Sequence, residues 1–294
     1  MAPSSFDDQY RHCRSRMLKA LPALNRTEFV PLGDYAEAWA KAAALWGGRP
    51  VPGSLLRLEQ AIALLAYTME EGLYRQFNRA VRVAGRSRQD YLRSFHFKVL
   101  HFLLTEALSD LRGARGHPRC LHVFRGVGDI RFTGSPGQIV RFGQFASSSL
   151  LRNVSDSYGT ATTFEVDTCH GADIRGFSSY PEEEEVLIPP FETFRVTNVT
   201  WEGDDIHIQL RSHGVHSKYN CAWFRGDGPG LGHLSWLWGH GGSSSAGTPG
   251  LLVGQVVGVR GLQVCGIAQL QLLSWDGWDN GMGSMGWDRW DGDQ

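Results

Sequence analysis

Residues 182–190 read EEEEVLIPP. Four carboxylates run straight into an apolar Val-Leu-Ile and stop at two prolines. A charge run alone is ordinarily a solvated loop. This one abuts a strand-like segment, and side chains of extended chain alternate faces with period two. Glu183 and Glu185 are therefore expected on one face, and Glu184, Val186 and Ile188 on the other. Two carboxylates on one face, at the mouth of a core-anchored strand, form a candidate catalytic pair for cation-stabilising or proton-transfer chemistry. Two other polar stretches lie upstream. Val123-Phe124-Arg125-Gly126 puts an arginine on a strand before a glycine, and GQFASSSL (143–150) puts Ser147, Ser148 and Ser149 just after one.

The elements that must position these groups fall into two regimes. The first third reads helical. Ser54 to Arg82 carries Leu55, Leu56, Leu58, Ile62, Leu64, Leu65, Tyr67 and Leu73 at three- and four-residue spacing. Ser87-Arg-Gln-Asp90 resembles a capping box with Asp in place of Glu, opening a second helix through Tyr91, Phe95, Val99 and Leu104 to Leu111, with Gly113 as its stop. After Cys120 the period becomes two. Strands are expected at Leu121–Phe124, Ile139–Phe142, Thr162–Val166, Val186–Ile188, Phe194–Val199 and Ile206–Leu210. Helices first and short strands after read as α+β. No G-x-G-x-x-G stands between a strand and a helix, which disfavours a Rossmann nucleotide site.

Composition bounds the rest. The 294 residues suffice for a substantial core, and 42% hydrophobic with 20% charged residues fits a globular protein. A net charge of −1 gives no reason to expect a nucleic-acid footprint. No apolar run approaches the roughly 20 residues that span a bilayer. The N-terminus, MAPSSFDDQYRHC, shows no apolar leader, yet three sequons, at Asn25, Asn153 and Asn198, point outside the cytosol. Of the five cysteines, Cys13, Cys120, Cys169, Cys221 and Cys265, four have the number for two bridges with one odd thiol; five separate buried thiols are the other reading. Residues 226–294 are rich in Gly, Ser and Trp and repeat Trp-Asp units, and read as a low-complexity tail open to disorder. His233 and His240 within it match no strong metal motif.

Arginine, serine and glutamate in this order, with Glu-x-Glu leading into VLIPP, resemble the R-S-E signature of the vertebrate arginine-specific ecto-mono-ADP-ribosyltransferases. FDDQYRHC, AYTMEEGLYRQFNRAVR, FHFKVLHFLL, FRGV, GQFASSSL, EEEEVLIPPFETF and YNCAWF all look like that family, over residues 6–224.

The resemblance implies one α+β catalytic domain over 6–225, a helical part packed on a two-sheet, mostly antiparallel β core. NAD⁺ as co-substrate is expected in the cleft, with no metal. Arg125 would offer its planar fork of donors to the dinucleotide pyrophosphate. Ser147 would hydrogen-bond the nicotinamide ribose and orient Glu185, which matches the catalytic glutamate. Glu183 matches the second glutamate, which engages the acceptor guanidinium. Tyr67, Gly126, Gln144 and Ser178 match NAD-contacting positions, although Tyr67 also reads as core, and Gln144 and Ser178 as ordinary polar groups. Tyr180 and Phe177 lie in the stretch resembling the substrate loop, where an aromatic would stack on a guanidinium or else fill the core. Phe145 is expected to pack beneath the serines. The implied bridges are Cys13–Cys221 and Cys120–Cys169, with Cys265 left over.

Acceptors would be arginine-containing proteins or small guanidines such as agmatine, the chain would be secreted, and a monomer is expected. The tail resembles no family C-terminus and reads more like translated non-coding sequence than a module. A dominant NAD⁺ glycohydrolase and an inactive NAD-binding or interaction module are the competing readings.

Overall fold

The computed structural model describes residues 2–28, 33–47, 55–69, 72–114, 116–128 and 130–224. Cys265, His233, His240 and the tail from 226 lie outside them. Six helices come first: α1 (Arg14–Glu28), α2 (Gly33–Trp46), α3 (Leu58–Thr68), α4 (Leu73–Ala84), α5 (Arg88–Ser94) and α6 (Lys98–Arg112). Helices α3 and α6 are buried on nearly every face, as expected of helices at the centre of a packed unit. The polar groups that α6 carries inward find partners. His101 meets the Tyr10 hydroxyl at 2.8 Å and the Phe6 carbonyl at 3.2 Å, and burial pushes its pKa down to about 3, so it stays neutral.

Each of the two expected long helices is broken in two. The first ends at Thr68, whose hydroxyl turns back to the Leu65 carbonyl, and Met69 is extended. Helix α4 lies against α3, and Asn78 of α4 donates to the Tyr67 hydroxyl at 3.1 Å. In the second, Ser87 caps α5 by accepting the Asp90 N–H at 3.0 Å, as its position predicted. The chain then turns at Phe95–Phe97, burying both phenylalanines. Helix α6 starts afresh with a distant cap: Glu28 accepts the N–H groups of Lys98 and Val99 at 2.8 and 3.0 Å.

The strands are β1 (Leu121–Val127), β2 (Ile139–Val140), β3 (Ala146–Ser149), β4 (Thr162–Thr168), β5 (Ala172–Asp173), β6 (Glu185–Ile188), β7 (Glu192–Glu202) and β8 (Asp205–Val215), with helix α7 (Arg152–Ser157) between β3 and β4. They pair in the order β2-β7-β8-β4-β1-β3-β6-β5, antiparallel except for β4 with β8. The two expected sheets are two halves of this one ladder. The five strands β2-β7-β8-β4-β1 meet the three strands β3-β6-β5 through a single registered pair, Phe124 opposite Ser149. Two cores flank β3 and β6. Phe145 and Leu187 face the helices, whereas Ala146, Val186 and Ile188 face the apolar layer of the larger half. Among the described residues no helix is long and apolar enough to cross a membrane.

Both implied disulfides are formed, Cys13–Cys221 and Cys120–Cys169. The first ties together segments separated by 208 residues, a closure worth about 5 kcal/mol in the chain-entropy account. Asp8 reinforces it by accepting the N–H of Cys221 at 2.8 Å and of Ala222 at 2.7 Å. The neighbouring Asp7 forms a buried ion pair with Arg141 at 2.7 Å.

Candidate active site

The seam between the two half-sheets gathers the polar residues singled out above. Arg125 lies on β1, Ser147 on β3 and Glu185 at the first position of β6. The Arg125 guanidinium crosses the seam and donates to the Ser147 carbonyl. Ser147 is close enough to both the Glu185 carboxylate and the Tyr67 hydroxyl to lower the pKa of each. Ser178 donates to Glu185 Oε2 at 3.1 Å. Arginine, serine and glutamate, spread over sixty positions of chain, thus share one locale.

Glu185 is 7% exposed, and its pKa is pushed up to about 7. Burial is the main cause. Hydrogen bonds from Ser147 and Ser178 oppose it, Glu183 adds to it, and Arg125 opposes it. A carboxylate pushed to near neutrality by burial beside specific charged partners marks a functional-site candidate. Burial also draws the Arg125 pKa down, while Tyr67, Tyr74 and Glu185 pull it back up.

The glutamate run is not extended as expected. Pro181–Glu183 form a 3₁₀ turn and Glu184 sits in the left-handed region at φ 46°, so the strand begins only at Glu185. Proline at the turn's first position presets its φ, and the turn reverses the chain before β6. Along the strand the alternation holds, with Leu187 toward the helices and Val186 and Ile188 away. Glu183 is brought near Glu185 by the turn instead. Its backbone carbonyl accepts the Ser149 hydroxyl at 2.6 Å, and its Oε1 accepts the Tyr158 hydroxyl. Glu184 points elsewhere, 3.4 Å from Arg175.

The remaining predicted positions divide. Tyr67 is core: its ring is buried among the helices, and its hydroxyl donates to the Phe145 carbonyl at 3.2 Å. Phe145 does pack beneath the serines, fully buried. Gln144 is buried and accepts from Arg82. Phe177 is core, stacked on Trp46 with centroids 5.9 Å apart. Tyr180 is half-buried and donates its N–H to the Ser178 hydroxyl at 3.1 Å, next to both glutamates. Gly126 has a packing reason of its own, because a Cβ there would lie 2.2 Å from the Ser155 carbonyl oxygen of α7. Two supporting residues, Asn78 and Tyr158, stand outside the sequence motifs, and Ser149 takes a part that its motif does not announce. Asn78 joins Tyr67 to the Phe145 carbonyl, Ser149 holds the Glu183 backbone, and Tyr158 meets the Glu183 carboxylate. Their partners are 11 to 67 residues away, and no spacing rule announces them. A shallow groove on the sheet surface, lined by Phe124, Arg152, Thr163, Glu165, His207 and Gln209 among others, contains none of these site residues.

A sequence profile described as NAD:arginine ADP-ribosyltransferase matches residues 1–218. The erythroblast NAD(P)(+)--arginine ADP-ribosyltransferase of Gallus gallus is 53% identical over 224 residues, covering 75% of this chain and 74% of that one. The GPI-linked NAD(P)(+)--arginine ADP-ribosyltransferase 1 of Homo sapiens is 47% identical over 241 residues, covering 76% and 74%. Among solved structures, the eukaryotic mono-ADP-ribosyltransferase ART2.2 superposes with a TM-score of 0.63 at 35% identity, over 75% of this chain and 96% of that one. Variants of that protein have been solved with NADH and with NAD. This chain belongs to the NAD:arginine ADP-ribosyltransferase family.

Proposed function

We propose that this enzyme transfers ADP-ribose from NAD⁺ to arginine side chains of acceptor proteins, with Arg125, Ser147, Glu185 and Glu183 as its working residues. The bond between ribose C1′ and the pyridinium nitrogen breaks. Its electron pair goes to the nicotinamide nitrogen, which leaves neutral, and positive charge develops on the ribose. The Glu185 carboxylate, hydrogen-bonded to the ribose 2′-OH, stabilises that charge. A preorganised group of this kind contributes roughly 3–4 kcal/mol. Arg125 holds the pyrophosphate, and Ser147 orients Glu185 and the ribose. A guanidine nitrogen of the acceptor then bonds to C1′, and its proton passes to Glu183. Tyr67, Gln144, Ser178 and the Gly126 backbone line the NAD⁺ site, and Tyr180 flanks the acceptor.

The observation that carries this reading is the convergence of Arg125, Ser147 and Glu185 on one seam. The test is agmatine incubated with labelled NAD⁺. Label appears in agmatine with the native protein, and Glu185→Gln lowers its rate by roughly 100- to 1,000-fold. A Glu185→Gln variant as fast as the native enzyme would refute the mechanism.

We further propose that the enzyme acts outside the cell. Its relatives include GPI-linked and ecto-enzymes, and the sequon residues Asn153 and Asn198 are exposed. A mobility shift on glycosidase treatment of protein expressed in vertebrate cells would support it, and an unshifted intracellular product would oppose it.

A further inference from the structure

Tyr158 is held from two sides. It closes helix α7, its N–H donating to the Ser155 carbonyl at 3.2 Å. The next residue, Gly159, adopts φ +115°, and a Cβ there would lie 2.1 Å from the Gly128 Cα. Gly126 on β1 is pressed equally closely to the Ser155 and Gly159 carbonyls. Only glycines permit these approaches. They clamp the end of α7 onto β1, the strand that carries Arg125. The Tyr158 hydroxyl then reaches across to Glu183 Oε1, whose backbone is pinned to β3 by Ser149.

A carboxylate engages a guanidinium best with its plane fixed, and a hydrogen bond to one of its oxygens helps to fix it. We propose that Tyr158 is a positioning residue that aims the Glu183 carboxylate at the incoming guanidinium, and so sets the partition between transfer to arginine and hydrolysis by water. The inference rests on the assignment of Glu183 to the acceptor. The phenol is suited to a purely donating role. Burial and the two glutamates raise its pKa far above the ordinary tyrosine value, so it keeps its proton throughout the working range.

The experiment uses the full chain with NAD⁺ and agmatine, and measures ADP-ribosylagmatine and free ADP-ribose in the same tube. The proteins are native, Tyr158→Phe, Glu183→Gln and the double variant. Because the readout is a ratio of two products, loss of folded protein cancels. Tyr158→Phe is expected to lower the ratio of transfer to hydrolysis about tenfold, the scale of one hydrogen bond to a charged group. The loss should appear mainly in KM for agmatine, with KM for NAD⁺ moving little, and the double variant should be no worse than Glu183→Gln alone. If Tyr158→Phe lowers both products by the same factor while Glu183→Gln shifts the ratio, the proposal for Tyr158 fails alone. It fails likewise if the two losses multiply in the double variant. If Glu183→Gln leaves the ratio unchanged, the assignment of Glu183 to the acceptor has failed and this inference falls with it.

Discussion

Ser178 donates its hydroxyl to Glu185 at 3.1 Å and accepts the Tyr180 N–H at the same distance. One hydroxyl thus ties the loop before the glutamate run to the carboxylate that begins β6. Its bond favours the charged form of Glu185, against a burial that disfavours it.

A pH dependence follows. In the proposed mechanism Glu185 works ionised, and its pKa is about 7. kcat/KM for NAD⁺, which reports the free enzyme, should therefore fall as pH drops through about 7. Ser178→Ala removes a hydrogen bond to the carboxylate and should move that limb upward by about one pH unit. Glu106, far from the site, is also raised to about 7, by burial, so the comparison of the two enzymes is the decisive measurement. An acid limb that stays fixed in Ser178→Ala would show that another group controls it.

The same carboxylate weakens the fold. Its folded pKa of about 7 lies above the ordinary 4.5, so the folded state binds the proton more tightly than the unfolded chain does. The stability associated with this group is complete below pH 4.5 and is lost as pH rises through about 7. Glu185→Gln, neutral at every pH, should be more stable than the native protein at pH 8, by about 3 kcal/mol at most. The gap should close toward pH 4.5. Urea melts at the two pH values measure it, and a pH-independent difference would contradict the assigned burial cost.

Arg125 uses one guanidinium N–H on the Ser147 carbonyl, which orients the fork that remains. A lysine keeps the charge but lacks the planar fork, so it cannot hold that carbonyl and grip two phosphate oxygens in one geometry. Arg125→Lys should lower kcat/KM for NAD⁺ roughly 30-fold, about 2 kcal/mol, in both transfer and hydrolysis. Native kinetics in nicotinamide release would remove Arg125 from the NAD⁺ site.

Periodicity located most of the strands because each buries one face, as the alternation Ile206, Ile208, Leu210 on β8 shows. It missed β3, whose sequence ASSS has no apolar alternation to display, and β5, which is only two residues long. The breaks between α3 and α4 and between α5 and α6 were hidden for a different reason. The apolar spacing continues across them, and the cap that starts α6 is Glu28, about 70 residues away. Arg125, Ser147 and Glu185 were legible because short motifs carry them. Asn78 and Tyr158 were not, nor was the bond of Ser149 to the Glu183 backbone, since each acts through a contact that exists only once the strands and helices have packed. The glutamate run departs from period two because Glu182 to Glu184 precede the strand, which begins at Glu185. Pro181 was the local signal for a turn there.

The C-terminal boundary is open to a paired truncation. The last described residues are anchored: Arg88 donates to the Ala222 carbonyl at 2.8 Å, and Arg16 lies 4.3 Å from the Phe224 ring centre. Cys221 closes its disulfide to Cys13 three residues before that. If residues 6–225 are the catalytic domain, a chain ending at 225 should keep native Tm and agmatine transfer. A chain ending at 219 loses the disulfide and the two N–H groups that Asp8 accepts from Cys221 and Ala222. Asp8, whose pKa burial has already raised, is then left without two of its donors. Loss of the bridge alone is worth about 2–5 kcal/mol, enough to unfold a marginally stable domain at 37 °C. Equal losses in the two truncations would mean that the tail from 226 supports the fold. Native stability in both would mean that the N-terminal clasp does not.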